Sequence, residues 1–345
     1  MINMTDYMDE HSTPSYHIEK EENRRNTNIS FVVFGRATIF HPSSRLTPAM
    51  KRKLEEVAKQ GGAGLTKPLE SVEVSAYGTK YQIDLHNHYL LVSHREVLES
   101  ILGHGNIIKL TDESYKAGQH LTWQQIYESE GMKGKEIDRS STASRIPAGG
   151  VVLSISMYKL ATVMGIKPIK ANYNAIANRI FELQNTNMII TETPKAGEKT
   201  QYPLRLISDF RLFSNSNTLT KANPDFNAIN HIFIIPDMSL LKAIGRTGYL
   251  PRADQLLIKN YSKPSVKSFL KFVLTHEPSF YDGKKLDWLI DQYRNSMTSA
   301  VGPNFYTRLV DDIINNIYQI ENDFSIRIFN RDKGTYFVRY IKDIE

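Results

Sequence analysis

Residues 151–207 read VVLSISMYKLATVMGIKPIKANYNAIANRIFELQNTNMIITETPKAGEKTQYPLRLI, and this stretch decides the fold. A strand pattern over 151–155 is followed by a helix pattern that begins at Ser156 and stops at Gly165. After Pro168, the spacing predicts a second helix over 170–184 and two strands over 188–193 and 201–207. Strand, helix, turn, helix and hairpin, in that order, indicate a winged helix-turn-helix.

The outward face of the second helix is poor in acidic residues. At about 100° per residue, the apolar stripe consists of Tyr173, Ile176, Ala177, Ile180 and Leu183. The opposite face carries Ala171, Asn174, Ala175, Asn178 and Glu182, with Lys170 and Arg179 at its margins. Small residues allow close approach to a major groove, Asn pairs with the adenine edge, and Lys reaches guanine or phosphate. The alternative is an ordinary solvated helix with a polar, low-complexity surface.

The same succession recurs near the end of the chain. Helices are predicted over 265–274, 285–294 and 303–320, and strands over 325–329 and 335–341 flank the turn NRDKG. The core stripe of the 303–320 helix is predicted as Tyr306, Leu309, Val310, Ile313, Ile317 and Tyr318. Because Asp311 and Asp312 would repel phosphate, only the first two turns are expected to contact DNA, with Arg308 as the strongest candidate for a base contact.

The predicted DNA-contacting residues fall on the two helices, their preceding turns and the two hairpin turns. They are Lys167, Lys170, Ala171, Asn174, Asn178, Arg179, Lys195, Lys199, Asn304, Thr307, Arg308, Arg331 and Lys333. Lys195 and Lys199 would form a wing against the phosphate backbone, as would Arg331 and Lys333 in the second unit. A solvated hairpin tip is the alternative for each turn.

The remaining segments predict an α+β chain of two tandem winged helix-turn-helix domains. Residues 1–27 are polar and acidic, which indicates a flexible tail. The first domain spans 28–212 and has a β-containing extension, with strands over 28–40, 71–75 and 81–85 and a capped helix over 47–60. A Ser- and Asn-rich stretch over 213–230 predicts a linker, and 231–345 forms the second domain.

Composition limits the function further. The chain has 345 residues and no cysteine, which excludes disulfides and Cys-based zinc sites and suits the cytoplasm. Neither a membrane-spanning segment nor a secretory signal is expected. The net charge is +6, but residues 1–27 carry −3, so the rest of the chain carries +9. A basic body suits a polyanionic partner, although ordinary surface charge is the alternative.

A metal site is considered at LHNHY, residues 85–89. Nicking enzymes of rolling-circle replication hold a metal with two His that flank a hydrophobic residue, but here Asn87 lies between His86 and His88. With no third ligand evident, a His pair at a strand edge is favoured, and neither metal nor cofactor is predicted. Met157, Met164, Met188 and Trp288 are expected in the core.

The run SISMYKLATVMGIKPIKANYNAIANRIFELQNTNMIITET resembles the first winged-helix unit of plasmid replication initiators, the TrfA-like, iteron-binding family. KLDWLIDQYRNSM and GTYFVRYIK resemble its second unit, and the resemblance covers roughly residues 70–345 in architecture. It implies a protein that is not an enzyme and that binds directly repeated origin sites on double-stranded DNA. It also implies recruitment of the host replication initiator and helicase. Monomers would bind the repeats, and homodimers would repress the protein's own promoter.

Three other functions remain open. A winged-helix transcriptional regulator would bind a palindrome as a stable dimer. A nicking enzyme would use His86, His88 and a Tyr, and would depend on a divalent metal. If the protein instead binds partners other than nucleic acid, the basic outer faces of the helices are a coincidence.

Overall fold

The computed structural model describes residues 15–24, 27–59, 68–131, 135–136, 146, 150–214, 229–276, 283–297, 301–332 and 335–340. The helices are α1 Val32–Arg36, α2 Pro48–Lys59, α3 Val92–His104, α4 Asp112–Lys116, α5 Trp123–Ser129, α6 Met157–Val163, α7 Lys170–Asn185, α8 Met238–Thr247, α9 Arg252–Ile258, α10 Pro264–Leu274, α11 Leu286–Asn295, α12 Phe305–Asn315 and α13 Ile317–Asp323. The strands are β1 Tyr16–Glu19, β2 Asn28–Phe31, β3 Phe40–His41, β4 Glu70–Ala76, β5 Thr79–His86, β6 Leu90–Leu91, β7 Asn106–Leu110, β8 Lys135–Glu136, β9 Val152–Ser156, β10 Asn187–Pro194, β11 Thr200–Arg205, β12 Ile207–Ser214, β13 His231–Pro236, β14 Gly248–Pro251, β15 Lys284–Lys285, β16 Ile326–Asp332 and β17 Thr335–Tyr340. Helices and strands are both abundant along the chain, so the prediction of a mixed α and β composition is confirmed.

A six-stranded sheet joins the two halves of the chain. Its strand order is β1-β7-β9-β13-β12-β8, and all its pairings are antiparallel. β12 pairs with β13 from Ile207↔Pro236 to Phe213↔His231. The stretch predicted as a linker, 213–230, thus connects neighbouring strands of one sheet, and Phe213 and Ser214 belong to β12. Residues 215–228 themselves lie outside the described residues.

A four-stranded sheet carries the first predicted wing. Its order is β11-β10-β5-β4, so β10 pairs with β11 on one side and with β5 on the other. The prediction of a free two-stranded hairpin after α7 is thus incomplete. Long-range pairing with the β4–β5 hairpin braces β10 along its whole length, from Asn187↔His86 to Pro194↔Thr79.

The last part of the chain forms a three-stranded sheet of order β15-β17-β16, which packs against α11 and α13. The helix predicted over 303–320 is interrupted at Asn316, whose φ of −110° and ψ of 12° lie outside the helical range. The interruption separates α12 from α13. Tyr318, predicted in the core, is 84% exposed as a result.

Two expectations for the N-terminal region are also wrong. Part of the predicted flexible tail is structured, because β1 pairs with β7 and Arg24 Nη1 donates to Leu102 O at 3.1 Å. The strand predicted over 28–40 ends at Phe31, and α1 follows. Short, fully buried apolar runs do not distinguish helix from strand by periodicity.

One hydrophobic core extends from Ile29 in β2 to Val338 in β17. At its centre, the buried carboxylate of Glu99 in α3 accepts from Arg95 Nε at 2.7 Å and from Lys271 Nζ of α10. Arg95 also donates to the Tyr249 hydroxyl. Burial alone would raise the pKa of Glu99, but the two cations outweigh it and hold the pKa below its usual value.

Most other predictions of local structure agree with the structure. The strands over 71–75 and 81–85, the helix over 47–60 and the core positions of Met157, Met164 and Met188 are confirmed. Trp288 is 41% exposed rather than buried. Among the described residues, no helix combines the length and apolar character needed to cross a bilayer.

Candidate nucleic-acid interface

Local sequence positions α7 on the protein surface. Ser156 Oγ caps α6 by accepting from Lys159 N at 3.1 Å, and Gly165 ends that segment at a φ of 72°. The turn then reverses the chain into α7, which packs on α3 and α6. Its inner side is buried, as predicted, through Ile176, Ala177, Ile180 and Leu183, and Tyr173 is half-buried.

The outer face of α7 divides into accessible and inaccessible positions. Lys170, Ala171 and Asn178 are exposed, as is Lys167 in the preceding turn. Asn174 is half-buried, and its Oδ1 is shielded from solvent. Bidentate readout of adenine needs both the oxygen and the nitrogen of the amide. The prediction that Asn174 reads a base therefore does not fit this conformation, whereas Asn178 remains suited to it.

The C-terminal part of α7 is tied to α3 by charged groups. Glu182 Oε2 contacts His94 Nε2, and this hydrogen bond is the largest cause of the lowered pKa of Glu182. Burial lowers the pKa of half-buried Arg179, while Glu182 and Glu96 oppose that effect. Arg179 is therefore half-buried, with Glu182 and Glu96 near enough to affect its charge, and it is less available to a phosphate than predicted.

The turn between β10 and β11 lies beside another hairpin tip. Lys195 and Lys199 are exposed in this turn, where Gly197 adopts a φ of 127° that favours glycine. A Cβ placed on Gly78, at the β4–β5 tip, would lie 3.8 Å from Lys195 Cδ. Tyr77 at that tip is 66% exposed. The candidate wing therefore has two adjacent tips, and the sequence did not predict that Tyr77 lies there.

The second helix presents a different surface. Asn304, Thr307 and Arg308 are exposed at its start, as predicted, but so is Asp311 one turn later. Its core side buries Leu309 and Ile313, and the Arg294 guanidinium of α11 stacks on Tyr306 at 4.3 Å from the ring centroid. This stacking fixes α11 against α12.

Part of the second predicted wing cannot be placed. Arg331 belongs to β16, and Lys333 lies outside the described residues. The neighbouring sheet edge carries a pair that the sequence analysis did not identify. Lys284 Nζ lies 5.7 Å from the ring centroid of exposed Trp288. The apolar periodicity of α11 does not show that Trp288 is exposed or that it lies beside a cation.

The His pair does not form a recognisable metal site. His86 is 2% exposed, whereas His88 is half-exposed. Within the described ranges, no three His, Asp or Glu side chains are grouped so that they could bind a metal ion. The absence of enzymatic activity stays a prediction.

Comparison with known proteins gives a distant structural similarity. No family model matches the chain, and neither does any curated protein. The crystal structure of domains 2 and 3 of RctB aligns with 80% of this chain and 92% of its own, at 12% identity and a TM-score of 0.47. Selenomethionine derivatives of the same two domains align with 78% of this chain and 89% of their own, at 12% identity and a TM-score of 0.44. A similarity this distant does not assign the chain to a family.

Proposed function

We propose that this chain is a sequence-specific double-stranded DNA-binding protein that initiates plasmid replication. The observation that carries the proposal is the exposed, acid-poor face of α7, on a chain that also exposes Lys195 and Lys199 in the β10–β11 turn. Lys170, Ala171 and Asn178 offer an exposed surface with no acid among them, and exposed Lys195 offers a phosphate contact. A generic solvated helix would carry acids on such a face.

The second unit extends the reading surface. α10, β15, α11, α12, β16 and β17 occur in the order of a winged helix, with α13 between α12 and β16. β15 pairs with β17 as the third wing strand. We take α6, α7, β10 and β11 as the corresponding parts of a first winged helix. Two recognition helices on one chain suit neighbouring major grooves about 34 Å apart.

This layout favours direct repeats over a palindrome. When both helices belong to one chain, a monomer reads a complete asymmetric site, and successive monomers bind successive repeats. The proposal includes recruitment of the host replication initiator and helicase, repression of the protein's own promoter by a homodimer, and a cytoplasmic location. It includes no catalytic step, metal or cofactor.

Selection of bound sequences from a random duplex pool tests the proposal. We expect enrichment of one asymmetric site that spans roughly two helical turns and binds one chain. Enrichment of a palindrome bound by two chains would instead identify a winged-helix transcriptional regulator. Binding without enrichment, sensitive only to salt, would contradict sequence-specific recognition.

A further inference from the structure

A cleft separate from the outer face of α7 lies between the four-stranded sheet and the C-terminal ends of α10 and α11. Its volume is about 590 Å³, which is within the range of small-molecule sites. Arg36, the last residue of α1, also lines it. The cleft thus combines elements from both halves of the chain.

The lining of the cleft is predominantly cationic. It contains Arg36, Lys80 and Lys199 but only one carboxylate, Glu73. None of the three cations has an ion-pair partner among the described residues. His276 adds no charge at neutral pH, because burial and the nearby Arg36 lower its pKa to about 4. The excess of unpaired positive charge favours an anionic ligand.

Arg36 is held in place by a hydrogen bond, but one of its buried donors has no partner among the described residues. Its Nη2 donates to Thr275 O at 2.5 Å, whereas its buried Nε has no hydrogen-bond partner within the described ranges. Gly35 permits this placement, since a Cβ there would lie 2.4 Å from Thr275 Cγ2. The shielded Nε does not itself face the cleft, but Arg36 lines the cleft, where its positive charge suits an oxyanion.

Neutral polar groups complete the lining. Hydroxyl and amide side chains come from the sheet and from the end of α11: Ser75, Gln82, Thr191, Thr193, Gln292, Asn295 and Ser296. Val74, Tyr81 and Phe272 add apolar surface. A cleft with cations, hydrogen-bonding groups and apolar patches is larger and more varied than inorganic phosphate requires.

We propose that this cleft binds a nucleotide, whose phosphate is held by Arg36, Lys80 and Lys199. The nucleotide is either a free mononucleotide or one unit of a single-stranded DNA segment, since both present the same phosphate and base chemistry. Binding involves no covalent step. The lining contains no residue of α7, whereas Lys199 belongs both to the cleft and to the candidate wing.

Calorimetric titration of the full chain tests the proposal, with ATP and a short oligothymidylate as separate probes. We expect saturable binding of at least one probe. Lys80→Ala should weaken it about tenfold, because one charge-assisted phosphate contact is lost. Exposed Lys59 in α2 provides a control of equal charge, and Lys59→Ala should bind as the wild type does.

The two probes distinguish the sources of the nucleotide. Tighter binding of ATP identifies a free nucleotide, and tighter binding of the oligothymidylate identifies a single strand. Arg36→Gln provides a second variant, with thermal melting to verify its fold. No saturable binding of either probe, or equal affinity of Lys80→Ala and the wild type, overturns the proposal. Duplex recognition is measured separately with Asn178→Ala, so either proposal can fail without the other.

Discussion

The two candidate recognition helices, α7 and α12, expose different charges. α7 exposes Lys170 and Asn178 and has no acid on its outer face before Glu182. α12 exposes Arg308 near its start but Asp311 one turn later. Because a groove lined by phosphates repels carboxylates, α7 is suited to base contacts over several turns and α12 only at its start. A repeated arrangement of helices therefore does not imply equal shares of recognition.

The supporting sheets differ as well. β10 is braced by β5 along its whole length, which places the Tyr77 tip beside Lys195. Among the described residues, the second hairpin is braced by the short β15 alone, through Lys284↔Val338 and Lys285↔Phe337. The first wing thus has a second tip beside it, so we expect it to contribute more to backbone contacts.

The largest expected effect concerns the premise that both helices belong to one rigid body. Glu99→Ala leaves the buried cations Arg95 and Lys271 without their carboxylate. Unfolding free energy should fall by about 3–5 kcal/mol, in a single denaturant transition. Trp123 and Trp288, the only tryptophans, lie in different halves and report on both.

A matched control is Glu96→Ala, which removes the half-exposed partner of Lys267 and should cost at most about 1 kcal/mol. Separate transitions for the two tryptophans would show that the halves unfold independently. Since the folded-state pKa of Glu99 is depressed, its stabilisation is present above the ordinary value of 4.5. This stabilisation should be lost as the pH falls through the lower folded-state pKa. The difference in unfolding free energy between the wild type and Glu99→Gln should narrow there.

The second effect tests base reading by α7. Asn178→Ala should weaken binding to the selected site by about 1–3 kcal/mol and leave affinity for random DNA nearly unchanged. Asn174→Ala should lose less of the preference for the selected site over random DNA, because the Asn174 amide oxygen is already shielded in the wild type. Competition titrations with both duplexes measure the difference. Equal losses on the two duplexes for Asn178→Ala would remove it from the reading face.

A smaller effect concerns the first wing. Lys195→Ala should weaken binding to every duplex and reduce the slope of log affinity against log salt by about 1, because one phosphate contact disappears. Titrations at several salt concentrations measure this slope. Lys59→Ala, far along the chain in α2, should leave it unchanged, and a similar slope for both variants would exclude a wing contact.

The smallest effect probes α12 directly. Asp311→Asn removes a carboxylate that faces the same side as Arg308, so affinity for all duplexes should rise by about 0.5 kcal/mol at low salt. Exposed Asp287 in α11 provides the control. If Asp311→Asn and Asp287→Asn behave alike, α12 does not approach DNA, and the recognition surface is confined to the first unit.

Sequence periodicity predicted α7 well because local signals agree there. The Ser156 cap, Gly165 and the 3.6-residue apolar spacing all indicate the same helices. The pairing of β12 with β13, on either side of the predicted linker, has no signal in composition, because it joins segments that are separate in sequence. Similarly, Asn174 and Asn178 are equivalent on a helical wheel, and only neighbouring elements distinguish their exposure.

The candidate site was therefore only partly predictable. The exposed positions of α7 follow from its periodicity, whereas the Tyr77 tip depends on pairing between β5 and β10. The break at Asn316 left Tyr318 exposed, against a helical pattern that continued through it. Charged contacts such as Glu182 with His94 have no local signature at all.

The most direct test of the central claim uses the absence of cysteine in the chain. A DNA-cleaving reagent attached through Ala171→Cys or through Thr307→Cys reports where α7 and α12 lie on the selected site. We expect cleavage in two major-groove segments about one helical turn apart, with one chain per site. Cleavage from Ala171→Cys alone, or two chains placing the same helix in both grooves, would contradict it.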